Sequence, residues 1–400
     1  MASAERPEIE IEIAGVGMHP FGRFPDRSLK DLARVAVARA LTDAGLGVKD
    51  LDAVYAANGM AGLLQGQEMV RGQSTLRDVG IEHVPIVNID NACAGGSSAL
   101  REAILSIRAG AAEVALAVGF EKMFMDDRDR SLNALETAAD IELTAGLGLQ
   151  FTAIYAMRLR KRIDAGLLDV SDLVDASVKS HYNGSLNPNA QHQKAMSAEE
   201  VAGSRPIADP LTLMMCSSFS DGAAAVVVRR AGGPQRDGRP AIRLRAAAAT
   251  SGFTADPNRE DQPSTAARCA RLAYEEAGLG PAEIDVAEVH DAMAPGELVY
   301  YEELGFCEPG GAAELLRSGA TALSGRLPVN PSGGLTSRGH PVGATGLGQV
   351  AELTWQLRGE AGPRQAGQPR IALAQNSGGW MAGESAACNV HILERTEPWT

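Results

Sequence analysis

Cys93 stands in NIDNACAGGSSAL, where an apolar strand runs into a turn of small residues and a helix leaves it. Ala92, Ala94, Gly95 and Gly96 allow a tight turn and close approach by a substrate. A thiol at a helix N-terminus sees the positive end of the helix dipole, which lowers its pKa. The pattern is a strand–turn–helix nucleophile elbow with sulfur in place of oxygen. A small cysteine packed in a core reads the same way in this segment alone. His340 lies in RGHPVGATG, where Pro341 fixes the backbone and the glycines open the turn. A neutral imidazole there can take a thiol proton; a packed or solvated histidine is the alternative. His290 lies in EVHDAM at the end of a short apolar strand, beside Asp291. The segment Asn376-Ser377-Gly378-Gly379 follows the strand IALAQ. Its backbone N–H groups, with that of Cys93, can face a carbonyl oxygen as an oxyanion hole, although NSGG is also an ordinary loop. The run Arg158-Leu159-Arg160-Lys161-Arg162 is either a phosphate-binding patch or a solvated helix face.

The elements that must position these groups come from a duplication. Residues 40–60 read ALTDAGLGVKDLDAVYAANGM and residues 273–293 read AYEEAGLGPAEIDVAEVHDAM. Without gaps, AGLG aligns with AGLG, Asp52 with Asp285 and Met60 with Met293. Each segment follows an amphipathic helix that ends at glycine, the residue best suited to the left-handed C′ position. His290 and Asp291 stand where the first copy has Ala57 and Asn58, so one half carries polar groups that the other lacks. Strands alternate with helices in both halves, which predicts a parallel-rich α/β sheet. The boundaries read as 1–120 with 216–235 for the first half and 240–400 for the second. An inserted loop domain at 121–215 lies between them, too long for a connector.

Composition sets the surroundings. The chain has 400 residues, 45% hydrophobic and 4% aromatic, with a formal charge of −13 and a pI near 5.1. An acidic chain of this kind is no nonspecific nucleic-acid binder. Five cysteines without a CxxC pair suggest neither a disulfide framework nor a zinc site, and no metal is expected. No apolar run is long enough to span a bilayer. The N-terminal MASAERPEIEIEIAGV reads as a strand, not a signal peptide, and a cytoplasmic location is the expectation. No dinucleotide fingerprint or Walker loop appears.

Taken together, the motifs resemble those of the thiolase superfamily, closest to the sterol-carrier-protein-type thiolases and their bacterial relatives. NIDNACAGGSSAL, GFEKM, KSHYNGSLNPNAQ, LTLMMCSSFSDGAAAVVV, VHDAM with YEELGFC, and GGLTSRGHPVGATGLGQ carry the resemblance over nearly the whole chain. It implies a five-layered αβαβα fold from two duplicated halves with an inserted loop domain, usually a homodimer. It implies a coenzyme A thioester as substrate and no permanently bound cofactor. Cys93 would carry the acyl group and His340 would activate it. His290 would help form one oxyanion hole, and the N–H groups of Cys93 and Gly378 a second. Arg158, Arg160 and Arg162 are the candidates for the coenzyme A phosphates.

The chain departs from that family at the second acid/base. The cysteine of the family's CxG turn is replaced in Asn376-Ser377-Gly378, and that of its HDCF motif in His290-Asp291-Ala292-Met293. Ser377 and a tyrosine of the pair Tyr300–Tyr301, Tyr301 above all, remain to move a proton. Without the second thiol, ordinary acetyl-CoA condensation is disfavoured. Three expectations follow: acyl transfer or condensation through Cys93, a retro-aldol lyase acting on a β-hydroxyacyl-CoA, or a non-catalytic acyl-CoA-binding subunit. The HDA variant of the motif also implies a small zinc-ribbon/OB-fold partner protein.

Overall fold

The computed structural model describes residues 9–144, 147, 150–254, 262–381 and 383–399. The N-terminal eight residues, on which part of the first-strand reading falls, lie outside them. The strands are β1 (Ile11–Gly22), β2 (Ala53–Ala57), β3 (Ile86–Ile89), β4 (Val114–Lys122), β5 (Pro206–Ala208), β6 (Leu211–Thr212), β7 (Asp221–Arg230), β8 (Ile242–Ser251), β9 (Val286–Glu288), β10 (Ile371–Gly378) and β11 (Ala387–Arg395). Among the described residues nine of them form one sheet in the order β3-β2-β4-β7-β1-β8-β11-β10-β9, and β5 pairs with β6 alone.

The order is nearly palindromic. β2, β4, β7 and β1 of the first half match β9, β10, β11 and β8 of the second. The halves join where β1 meets β8 through only two residue pairs, Glu12 with Arg243 and Ile13 with Ile242. The counterpart of β3 has shrunk to a single bridge between Ala287 and Val329. The repeated loop explains itself in hydrogen bonds. Gly45 and Gly278 cap their helices with φ of 68° and 66°. Asp52 then accepts the N–H groups of Glu113 and Val114 at 2.9 and 3.0 Å. Asp285 accepts those of Arg370 and Ile371, both at 2.8 Å. Each aspartate thus ties the start of its strand to the next parallel strand. We expect Asp52→Ala and Asp285→Ala each to cost about 1–3 kcal/mol, because two backbone donors lose a charged acceptor. Thermal denaturation of the two variants checks this; a loss at one site alone would mean the bonds are not equivalent.

The expectation of a parallel-rich sheet is corrected. β2–β3, β2–β4 and β9–β10 run parallel, but β7 returns antiparallel between β4 and β1, and β11 between β10 and β8. Short apolar segments do not reveal direction, and each half ends in a long strand that doubles back. A further strand, β11, follows IALAQ in the chain.

Three apolar cores define the layers. The helix Leu29–Ala44 packs on the outer face of the first half. The helices Gly95–Arg108 and Thr345–Arg358 share a central core with strands of both halves. The helix Thr265–Ala277 and the helix Val170–Ser185, which lies between β4 and β7 in the chain, cover the outer face of the second half. This is the αβαβα arrangement. Among the described residues no helix is long and apolar enough to cross a membrane.

Candidate active site

The two central helices bring the chemistry together, because each begins at one half's loop cluster. Cys93 precedes the helix Gly95–Arg108 by two residues. Ala92 is held at φ 49°, and its N–H donates to Asp90 Oδ1 at 3.0 Å. A left-handed alanine costs roughly 1 kcal/mol, so the turn is bent against local preference to present the thiol. Glycines let the second helix come close. A Cβ on Gly96 would lie 2.7 Å from the Gly343 carbonyl, and one on Gly346 only 2.0 Å from Ser97 Oγ. The segment that carries His340 therefore packs backbone to backbone on the segment that carries Cys93.

Cys93, His290 and His340 converge. One donor atom from each lies within 4.8 Å of the other two, and the imidazole centroids are 5.2 Å apart at 81°. All three are buried; Cys93 keeps 6% of its surface. Hydrogen bonds set the two tautomers. Thr345 Oγ1 donates its one proton to the Pro341 carbonyl at 3.0 Å. Its 2.6 Å contact with His340 Nδ1 must therefore be a bond that His340 donates. That leaves Nε2 of His340 with a free lone pair, a base. At His290 the reverse holds. Ser97 Oγ donates to Asn376 Oδ1 at 3.0 Å, so the amide nitrogen faces His290 Nδ1 at 2.9 Å. Nδ1 accepts, and Nε2 carries a proton that it can donate. One histidine is arranged as a base and the other as a hydrogen-bond donor.

The electrostatics correct one expectation. The Cys93 thiol is not held low by the helix. Burial pushes it up to about 12, against the opposing pull of the Gly379 and Cys93 amides, with the carboxylates of Glu121 and Asp90 adding to the rise. A desolvated thiolate costs more than half a helix charge returns. Burial also pulls His290 down to about 3, with the Arg338 guanidinium adding to the fall. Burial, His290 and Arg338 together hold His340 well below 6.5. The resting trio is a neutral thiol between two neutral imidazoles.

A cavity of about 70 Å³ opens at these residues, and Tyr155, Met293, Ser377 and Trp380 also line it. The Gly379 amide hydrogen-bonds the sulfur; it stands one residue beyond the expected Gly378, which also lines the cavity. Asn376, Ser377 and Gly378 are the end of β10 and not a turn. Ser377 accepts from Gln375 Nε2 at 2.8 Å and from the Tyr300 hydroxyl at 3.4 Å. Tyr301 points away: its hydroxyl donates to Glu297 and meets Thr321 in the core. The tyrosines at the site are Tyr155 and, behind Ser377, Tyr300. The basic run splits by helical phase. Arg158 lines the cavity and pairs with Glu303 at 3.1 Å. Arg162 pairs with Glu302 at 2.8 Å. Arg160 pairs with Asp209 beside a separate groove. Reading by sequence missed Asn376, Ser97, Thr345 and Gln375, the last of which accepts the His290 N–H at 2.9 Å. In the sequence Asn376 stands only as part of the candidate oxyanion segment and in place of the family's cysteine, not as a side-chain partner of His290.

Two duplicated halves around paired central helices, with this site at their junction, define an α/β enzyme of the thiolase type. Residues 11–232 match the model of the thiolase N-terminal domain, and residues 249–395 match the thiolase C-terminal domain-like model. An acetyl-CoA acetyltransferase of Methanothermobacter thermautotrophicus is 39% identical over 96% of this chain and all of its own length. Sterol carrier protein 2 of Rattus norvegicus is 34% identical over 92% of this chain and 70% of that protein. The Ltp2-ChsH2(DUF35) aldolase superimposes with a TM-score of 0.77 at 24% identity, over 97% of this chain and 98% of the other, a likeness of fold. The chain belongs to the thiolase family and is an acyltransferase.

Proposed function

We propose that the enzyme carries an acyl group from a coenzyme A thioester on Cys93 and passes it to the α-carbon of a second thioester. The convergence of Cys93, His290 and His340 within 4.8 Å is the observation that carries this reading. His340 Nε2 takes the thiol proton as sulfur attacks the carbonyl carbon. Negative charge on the oxygen meets the amides of Cys93 and Gly379 or its neighbour Gly378. The carbonyl–sulfur bond of coenzyme A breaks, and the departing thiolate takes the proton from His340, which is neutral again. In the second half the acceptor's carbonyl oxygen receives the His290 Nε2 proton as a hydrogen bond. That makes its α-proton more acidic, and His340 removes it. The resulting carbanion attacks the acyl carbon, the bond to Cys93 breaks, and the thiolate recovers its proton from His340. One imidazole thus serves both halves, which accommodates the missing second thiol. Ser377 and Tyr301 take no part: the first is committed to its neighbours and the second faces the core.

The absent second thiol argued against acetyl-CoA condensation. The relative at 39% identity bears the name of that reaction, and a cavity of about 70 Å³ fits a short acyl group. We therefore take acetyl or another short acyl as the group transferred. Intact-mass analysis after incubation with acyl-CoAs of increasing length tests this, with a single adduct expected and favoured for the shortest. Aldol cleavage of a β-hydroxyacyl-CoA without any adduct would point to the lyase, and neither adduct nor cleavage to a binding subunit.

The working unit is a homodimer in this reading. Among the described residues β3 is the edge strand of the sheet, and Val87 on it is 44% exposed. Such an edge invites pairing with a second chain. Val87→Lys, which sets a charge on the exposed edge, is expected to yield monomer in light scattering; an unchanged dimer would move the interface elsewhere. The small zinc-ribbon/OB-fold partner rests on the HDA variant of the motif, and full activity of the purified chain alone would dismiss it. Five unpaired cysteines suit a reducing cytoplasm.

A further inference from the structure

We propose that Cys93, His290 and His340 also form a binding site for a thiophilic divalent cation, Zn²⁺ foremost, whose occupancy blocks acyl transfer. The three donors come from distant segments, so no spacing in the sequence shows them. Among the described residues they are the one group of cysteine, histidine and carboxylate side chains whose donor atoms converge in this way. One sulfur and two imidazole nitrogens suit zinc and other borderline cations, and not magnesium or calcium. With Zn–S about 2.3 Å and Zn–N about 2.0–2.1 Å, tetrahedral ligand atoms stand roughly 3.4–3.6 Å apart. The present limit of 4.8 Å therefore closes by about an ångström. The fourth position faces the cavity and takes water.

The surrounding hydrogen bonds suit the role. Metal-bound imidazoles donate their remote N–H to a fixed acceptor. His340 already does so, through Nδ1 to Thr345, with Nε2 free. His290 needs one rearrangement. The Asn376 amide turns over so that its oxygen accepts from Nδ1–H and its nitrogen donates to Ser97 Oγ, which accepts as readily as it donates. The imidazole proton moves from Nε2 to Nδ1. The thiol proton leaves to bulk water as sulfur binds the metal, which deprotonates a coordinating thiol outright.

Inhibition rests on Cys93 being the acyl carrier proposed above; metal binding does not. The test uses the whole enzyme and Co²⁺ as the visible probe, under argon. One equivalent is expected to give the intense visible bands of tetrahedral cobalt and a sulfur-to-cobalt charge-transfer band, both displaced by Zn²⁺. Zn²⁺ should compete with acyl-CoA, and EDTA should restore turnover. Carbamidomethylation of Cys93 in the wild-type protein should abolish the charge-transfer band without any mutation. Asn376→Ala should weaken binding by roughly 10–100-fold, as for other partners of metal-bound histidines. Cys216→Ala and Cys307→Ala, which remove the two incompletely buried thiols, should change nothing. A charge-transfer band that survives blocking of Cys93, an octahedral spectrum, or no binding at millimolar metal would overturn the site. An acyl adduct with no metal binding sinks the site alone. Zinc held by these residues with turnover intact sinks the acyl-carrier reading and the inhibition that rests on it, and leaves only the metal site.

Discussion

Cys93→Ala is expected to eliminate the acyl adduct and to lower turnover by at least about four orders of magnitude, the scale of losing a catalytic nucleophile. The expectation follows from where the thiol sits. Among the described residues it is the one thiol that lines the cavity, and the elbow holds it against two amides with a base at hand. Cys388, on β11 opposite Ser377, is fully buried and bonded to Gln375 and Ser377 from behind. It cannot take over without dismantling β10. Cys93→Ser separates chemistry from shape: it keeps the volume but offers a poorer nucleophile, so it should bind acyl-CoA normally and acylate far more slowly. Binding is read by calorimetry and acylation by intact mass. Wild-type activity in Cys93→Ala would remove covalent catalysis from the mechanism. The same burial predicts slow alkylation of free enzyme by iodoacetamide at neutral pH, since the thiol stands near 12.

That burial marks the boundary of what local sequence reveals. The elbow around Cys93, the two histidines and the duplication were legible because each is written in consecutive residues: small side chains at a turn, a repeated AGLG, an acid at a fixed offset. The sign of the Cys93 shift was not, because the helix dipole is a local property and desolvation is not. Closure of the cavity depends on Tyr155, Trp380 and the second half of the chain. Asn376 acts through a bond to Ser97 that spans 279 residues, and no spacing rule reaches that far. Tyr300 and Tyr301 show the limit on a smaller scale. They are neighbours on one helix, separated by about 100° of helical phase, and that phase decides which one backs Ser377 and which one enters the Glu297–Thr321 core. The basic run failed in the same way: Arg158 and Arg162, one turn apart, meet Glu303 and Glu302, while Arg160 on another face meets Asp209.

His340 should set the pH profile, and its expected behaviour follows from three causes acting in one direction. His340 works as a base only while neutral. Burial, His290 and Arg338 hold its pKa well below 6.5, so the acid limb of the acylation rate should lie below that value. The rate should then stay level through neutral pH, with no rise on the alkaline side from a thiol near 12. Arg338 is fully buried and pairs with Glu288 at 3.2 Å. Replacing both, as Glu288→Gln with Arg338→Met, removes a positive charge near the imidazole without leaving a carboxylate unpaired. Less repulsion raises the His340 pKa, and the acid limb should move toward neutrality while the plateau rate changes little. His340→Ala should lower acylation by roughly 10²- to 10⁴-fold, the range for a general base. Thr345→Val should cost less, because the base remains but its Nδ1 proton loses the acceptor that fixes the tautomer. Single-turnover acylation followed by intact mass between acid and alkaline pH reads all three. A limb that ignores the Arg338 double variant would mean the base is a group that Arg338 does not influence, which sets aside His290 as well as His340.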